Sequence, residues 1–442
     1  MKNKWLIAIP ILMVMLGLCV LMALIIFKTV EFLPTANLNI PFLLPDPFRA
    51  TSEEDFTFET DDLIAVEVRN PFGNLSVNTW EKDQVGLVIS KAATGMTQEK
   101  AEAALNFAQV TSEIVDGKLL IRVDYDSQES TGDMSQYPTQ ASLNLMMPAT
   151  LSLQAASQTG GITVQNSAAD LNLSSDFGWI ELNDSLGGEI ITTTRSGSIL
   201  GSRVQTGAKS LTASTDFGLI QFVDLNSGSI MISSKSGEIN LERVESEKAV
   251  QIESNFGRVS FSNGQMESLE VVSRGGDIFL SMLDLGGDVN VSSDFGMISL
   301  EQVWANSYHL RSRNGSITVN GCQGMVNAIS DYGEIDLKEG LQTTLSLQSG
   351  AGTIHYSGSL GAGPHSVSSD FGEINLELPK SSRNDVDIQT RFGEIHSDFE
   401  IAMSGALDQK HWAGTLNGGG EKITIRTQNG NINIYQFITE AE

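Results

Sequence analysis

The segment Ser-Ser-Asp-Phe-Gly occurs at residues 174–178, 292–296 and 368–372, and Ser-Thr-Asp-Phe-Gly at 214–218. In a protein kinase the aspartate of Asp-Phe-Gly holds magnesium beside the transferred phosphate, but only together with a glycine-rich loop, a strand lysine and a His-Arg-Asp catalytic loop. None of those parts is found in this chain. The other residues with chemical reach are scattered. The five histidines, His309, His355, His365, His396 and His411, show no His-x-His or His-Glu-x-x-His spacing and read as surface residues rather than metal ligands. Arg-Gly-Gly-Asp at 274–277 and Leu-Gly-Gly-Asp at 285–288 do not continue at the nine-residue period of a calcium-binding β-roll. Carboxylates abound, but the most regular ones alternate with Arg and Lys, and a partnered carboxylate is a poor general acid. Trp179, Trp304, Trp412, Tyr308 and Tyr356 could floor a flat sugar platform, with Trp179 outward by parity. Cys322 reads as a small buried hydrophobe. No catalytic, cofactor-binding or metal-binding residue is assigned.

The elements that carry these residues are set by a repeat. Glycines followed two residues later by Ile or Val recur along the chain. From Gly178 to Gly393 there are 215 residues in eleven steps, a period of about 19.5. Gly160 precedes this series and Gly430 follows it after an interruption. A fixed period of that size marks a solenoid. The residue four after the glycine is usually Leu, Phe, Val or Tyr, so the segment alternates as a strand with one buried face. A second alternating run leads up to each glycine, as in Val289, Val291, Ser293. Each coil therefore holds at least two strands hinged at a glycine, whose freedom to enter left-handed backbone space suits a corner.

Three columns precede the glycine. The third residue before it is Ser or Thr in every coil from Gly178 on, and parity points that hydroxyl inward, where it needs a partner in a neighbouring coil or the corner backbone. The residue just before the glycine alternates large and small: Phe177, Ser196, Phe217, Ser236, Phe256, Gly275, Phe295, Asn314, Tyr332, Ala351, Phe371. Parity predicts that these rings are buried, each filling the gap left by its small neighbours. The residue between alternates in charge, as in Asp176, Arg195, Asp216, Lys235, and should form an exposed ladder. The aspartate of Asp-Phe-Gly is thus one rail of that ladder.

The expected fold is all-β: a single-stranded parallel β-solenoid of about 14 coils, right-handed by the usual crossover preference and roughly 65–70 Å long at one strand spacing per coil. Residues 97–108 predict a short inserted helix with Thr97 as N-cap, placed over the N-terminal end. An insertion at 398–422 breaks the period and is expected to shape the other end.

In front of the repeats, Leu6 to Phe27 are free of charge and mostly apolar, long enough as a helix to span a bilayer. Lys2 and Lys4 precede the run and only Lys28 closely follows, which favours a cytoplasmic N-terminus and an extracytoplasmic body. The expected organisation is an uncleaved membrane anchor at 1–28, in contact with the lipid bilayer through residues 5–27, a Pro-rich linker at 29–55, and a solenoid domain at 56–442. A secretory signal peptide is the rival reading of the apolar run, but its core would be shorter and no clear small-x-small cleavage site follows. The expected location is the cell membrane, as a single-pass protein. The formal net charge of −27 sets nucleic acid aside as a partner.

The opening at 64–93, the segment 143–164 and the end at 414–435 together make the chain resemble the putative-adhesin β-strand-repeat family of bacterial envelope proteins, a domain of unknown function, over about residues 60–436. The resemblance implies surface attachment and brings no catalytic residues or cofactor with it. Three functions are consistent with the sequence. The first is a non-enzymatic rod for attachment to a surface glycan or an envelope protein. The second is a glycan-active β-helix enzyme, a polysaccharide lyase or hydrolase. The third is an envelope-stress regulatory partner signalling through the anchor.

Overall fold

A computed structural model of the chain describes residues 48–125, 139–404 and 408–437. The anchor segment, and the linker up to residue 47, lie outside the described residues. No helix among the described residues is long and apolar enough to cross a membrane.

The body is an all-β parallel solenoid whose strands join in one continuous sheet. Its register is that of like meeting like. The hydroxyl column pairs rung to rung, with Ser273 opposite Ser293 and Ser293 opposite Ser312. The isoleucine column does the same on the far side of the glycine, from Ile162 through Ile180, Ile199 and Ile220 onward. Both columns are buried, and with the leucines two residues further on they form the core. A third, shorter run of buried residues, including Val204, Leu225 and Val244, completes each coil.

The solenoid makes about eleven turns, fewer than the fourteen expected from the glycine count. At its two ends the order of the stack also departs from the order of the chain. In chain order strand Asn384–Thr390 would stack on His365–Ser369. Instead Glu421–Thr427 lies between them, paired in parallel with both. On the other side of the corner, Ile432–Phe437 pairs with Ile374–Pro379 and with Ile395–Ser397. The C-terminal coil is therefore the penultimate rung. The N-terminal end repeats the device. Ala65–Asn70 sits between Lys118–Tyr125 and Ser152–Ser157, and Leu75–Trp80 between Gln140–Pro148 and Ile162–Gln165. A coil from each end of the chain is thus held between two others, so neither can peel away from an open face.

Antiparallel strands finish both ends. Gln84–Gly95 pairs with Gln140–Pro148, and Phe48–Glu59 pairs with Gln84–Gly95. This outermost strand begins at Phe48, inside the stretch read as linker, and carries Glu53, Glu54, Asp55 and Glu59. Charge on an edge strand discourages further pairing. Helix Gln98–Ala104 is capped by Thr97, whose Oγ1 accepts from the Lys100 N–H at 3.2 Å, and packs its buried Ala101 and Ala104 beside these strands. At the other end the 398–422 insertion supplies His411–Leu416, antiparallel to Asn384–Thr390.

Candidate interaction surface

The corner before each strand is where inner and outer chemistry separate. The hydroxyl three residues before the glycine forms a clamp. Ser175 Oγ accepts from the Gly178 N–H at 2.9 Å and donates to the Gly160 carbonyl of the neighbouring rung at 3.2 Å. Thr215, Ser349, Ser369, Thr390 and Thr427 repeat both bonds. The glycine itself is required by contact, not by left-handed backbone. A Cβ on Gly237 would lie 1.6 Å from the Gly218 carbonyl oxygen, and one on Gly197 1.7 Å from that of Gly178.

The residue just before the glycine faces water, contrary to the parity expectation. Phe177, Phe217, Phe256, Phe295, Tyr332, Phe371 and Phe392 are 55–67% exposed. The strand ends at the clamping hydroxyl, as in Leu171–Ser175, and the next begins two residues after the glycine, as in Ile180–Asn183. The residues between form a bend, so the in–out alternation of a strand does not carry across it. Backbone bonds hold the bend in the ladder: the Phe217 N–H donates to the Arg195 carbonyl at 3.0 Å, and the Ser236 N–H to that of Asp216 at 2.8 Å. The rings therefore sit on every second rung, about 9–10 Å apart along one corner. Phe256 leans over the small rung beside it, since a Cβ on Gly275 would come within 3.0 Å of its Cδ1.

The exchanged order of the last coils preserves the alternation. In chain order Phe371 and Phe392 would be neighbours. In the stack Asn429 lies between them, its N–H on the Asp370 carbonyl at 3.1 Å, while the Phe392 N–H reaches the Gln428 carbonyl at 2.9 Å. The series also extends backward through Thr159 to Phe72, which is 38% exposed and makes an edge contact with Tyr125 at 5.0 Å.

The charge ladder forms beside the rings. Arg195 lies 3.9 Å from Asp176, Lys235 2.7 Å from Asp216, and Arg313 3.3 Å from Asp294, all with well-exposed cations. A second ladder, which the sequence reading missed, runs along the next corner, six residues after each glycine. Arg203 grips Asp184 through Nε at 2.5 Å and Nη2 at 2.8 Å, and Arg243 grips Asp224 through Nε at 2.6 Å and Nη2 at 3.2 Å. All four residues have positive φ, between 53° and 59°. The signal was present as Asp and Arg in turn at glycine plus six.

The residues proposed for a sugar platform do not come together. Tyr308 and Tyr356 are fully buried, their hydroxyls donating to Val303 O at 2.5 Å and Ser359 O at 2.8 Å. Trp179 and Trp304 are exposed, while Trp412 packs half-buried on the core. His365, read as a surface residue, is buried: Nδ1 accepts from the Leu345 N–H at 3.2 Å, and burial lowers its proton affinity. Cys322 is fully buried, and burial pushes its thiol up to about 11, which keeps it protonated and unreactive. Asp277 and Asp288, of the two Gly-Gly-Asp segments, each bond to the next rung, accepting from the Met297 N–H at 2.9 Å and the Ser307 hydroxyl at 2.6 Å. Asp170, Asp184, Asp224 and Asp387 are held below the ordinary carboxylate range, chiefly by hydrogen bonds from Lys209, Arg203, Arg243 and His411. A general acid needs the opposite shift. No group of three or more His, Cys, Asp or Glu among the described residues is placed to hold a metal.

Among solved structures the chain is similar to a putative cell adhesion protein of Clostridium sporogenes, at 11% identity and a TM-score of 0.16, covering 88% of this chain and 100% of that one. It is also similar to a putative adhesin of Bacteroides fragilis, at 11% identity and a TM-score of 0.26, covering 87% and 97%. Likeness at that level carries no argument about what the chain does. No curated protein matches it. The model of one family, Toastrack DUF4097, matches residues 67–285 and 250–435, nearly the whole described body. The match covers well over half of the chain, and the chain belongs to the Toastrack DUF4097 family.

Proposed function

We propose that the chain is a membrane-anchored, extracytoplasmic solenoid of adhesin type that acts by binding and not by catalysis. Its acidic stack of coils presents the aromatic corner for attachment to a cell surface or to another envelope component. The observation that carries this reading is the row of seven rings more than half exposed at fixed intervals. Regular, large exposed apolar groups mark interaction sites, whereas ordinary surface apolar residues are scattered singly. The charge-free run from Leu6 to Phe27 supports the anchor, and the downward-shifted carboxylates weigh against a glycosidase.

The test is attachment by cells that display the full-length chain. Replacing Phe217, Phe256, Phe295 and Tyr332 together by Ser should abolish attachment while the protein still reaches the surface. Undiminished attachment by that variant would overturn the reading of the rail. Turnover of any member of a polysaccharide panel would overturn the non-enzymatic part.

A further inference from the structure

The aromatic corner is complementary to itself. Rings occupy alternate rungs, and small residues occupy the rungs between. Charges follow the same rhythm, with aspartate on most aromatic rungs and Arg or Lys on most small ones, for example Asp216 beside Phe217 and Lys235 beside Ser236. Along this corner five aspartates are balanced by five cations, although the chain as a whole carries −27. The rail is therefore a neutral strip on an acidic body, where a second acidic copy can approach without the repulsion it meets elsewhere.

We infer that the attachment partner of the rail is a second copy of this chain, docked antiparallel about a two-fold axis that crosses the rail between two rungs. This deepens the reading of the rail as an attachment surface and rests on it. An axis in that position sets every aromatic rung against a small one, and aspartates against cations. Taken between the Gly237 and Gly257 coils, it brings Asp176 opposite Arg313, Arg195 opposite Asp294, and Asp216 opposite Arg274. An axis passing through a rung would set ring on ring and aspartate on aspartate. The rings of the two copies would then alternate at about 4.8 Å, within the range of aromatic stacking. The contact closes on itself, as an isologous pair must. Five of the seven rings, Phe177, Phe217, Phe256, Phe295 and Tyr332, lie within the overlap of the two copies and present on the order of 450–750 Å² per copy, to which the facing charges add, against about 800 Å² per partner in a stable interface of standard size. Antiparallel docking also suits chains anchored in two facing surfaces, which would make the attachment homophilic.

The test uses the full-length chain in mild detergent, followed by sedimentation over a range of concentrations. A reversible dimer is expected, and a monomer at every concentration up to about 100 µM would overturn the inference. Two charge variants sharpen it. In one, Asp176, Asp216 and Asp294 are changed to Arg; in the other, Arg195, Lys235, Arg274 and Arg313 are changed to Asp. Each alone should dimerise at least about tenfold more weakly, and their mixture should form a heterodimer. Unchanged self-association of both variants would place the contact elsewhere and overturn the inference. Spin labels in a Cys19→Ser background fix the direction. Labels at Ser236→Cys should lie close together in the pair and labels at Asn429→Cys far apart; equally short distances at both would mean a parallel pair and overturn the antiparallel docking. The attachment reading fails separately, if displayed protein attaches to nothing, including cells that display the same chain.

Discussion

The inner and outer halves of one corner are separated by two residues and obey different physics. Inside, Ser175 and Gly178 are buried and bonded to the neighbouring rung, and a Cβ on that glycine would meet the Gly160 carbonyl oxygen at 2.0 Å. Outside, Asp176 and Phe177 face water, and Arg195, the nearest cation to Asp176, stands 3.9 Å away. Both halves repeat with the same period. Regularity therefore reports stacking and says nothing about which residues hold the stack together. The inner half has no freedom left, so its residue types hardly vary. The outer half repeats less strictly, with Asn255, Gly350 and Gln428 in the charge column, and packing does not require it.

The sharpest way to break this comparison is at the glycine. Gly237→Ala puts a Cβ 1.6 Å from the Gly218 carbonyl oxygen, and that oxygen belongs to backbone fixed by the ladder. The cost should exceed about 3 kcal/mol, at or beyond the upper end for overpacking, read as a fall in the urea midpoint. A cost under about 1 kcal/mol would mean that the coils are not in contact at the corner. Next comes the clamp. Ser175→Ala leaves the buried Gly178 N–H and Gly160 carbonyl without that hydroxyl, and should cost about 1–3 kcal/mol. Ser175→Thr should recover most of it, because Thr215 already makes the same two bonds.

Much of the inner half was legible in the sequence. The hydroxyl column, the isoleucine column and the pairing of Ser293 with Ser273 and Ser312 all follow from a period that only a stack of coils explains. In the outer half the exposed charge ladder was legible, but the ring column was not, for one reason: strand parity does not carry through the three residues that form a bend, so it buries Phe295 when the ring is 62% exposed. The exchange of the Gly393 and Gly430 coils was hidden for another. Every inward column accepts either order, since Thr390 and Thr427 make equivalent clamps. Only the alternating ring column distinguishes the orders, through Asn429 between Phe371 and Phe392. The ladder of Asp184, Arg203, Asp224 and Arg243 escaped because positive φ is ordinarily sought at glycine and asparagine, not at arginine.

The outer half makes the smaller predictions. Asp294→Arg removes an ion pair between side chains that are 39% and 54% exposed, and should cost no more than about 0.2–1 kcal/mol. A larger loss would give the charge ladder a share in folding that its exposure does not allow.

Phe295→Ala is the smallest effect expected and the most discriminating. A buried phenylalanine truncated to alanine costs about 3–5 kcal/mol, because the cavity is only partly refilled. An exposed one falls with other surface substitutions, within about 0.5 kcal/mol of zero. The urea midpoint of the variant separates these cases cleanly. A near-zero change would show that the ring contributes nothing to the stability of the stack. A loss of several kcal/mol would return the ring to the core and remove the basis for treating the corner as a surface.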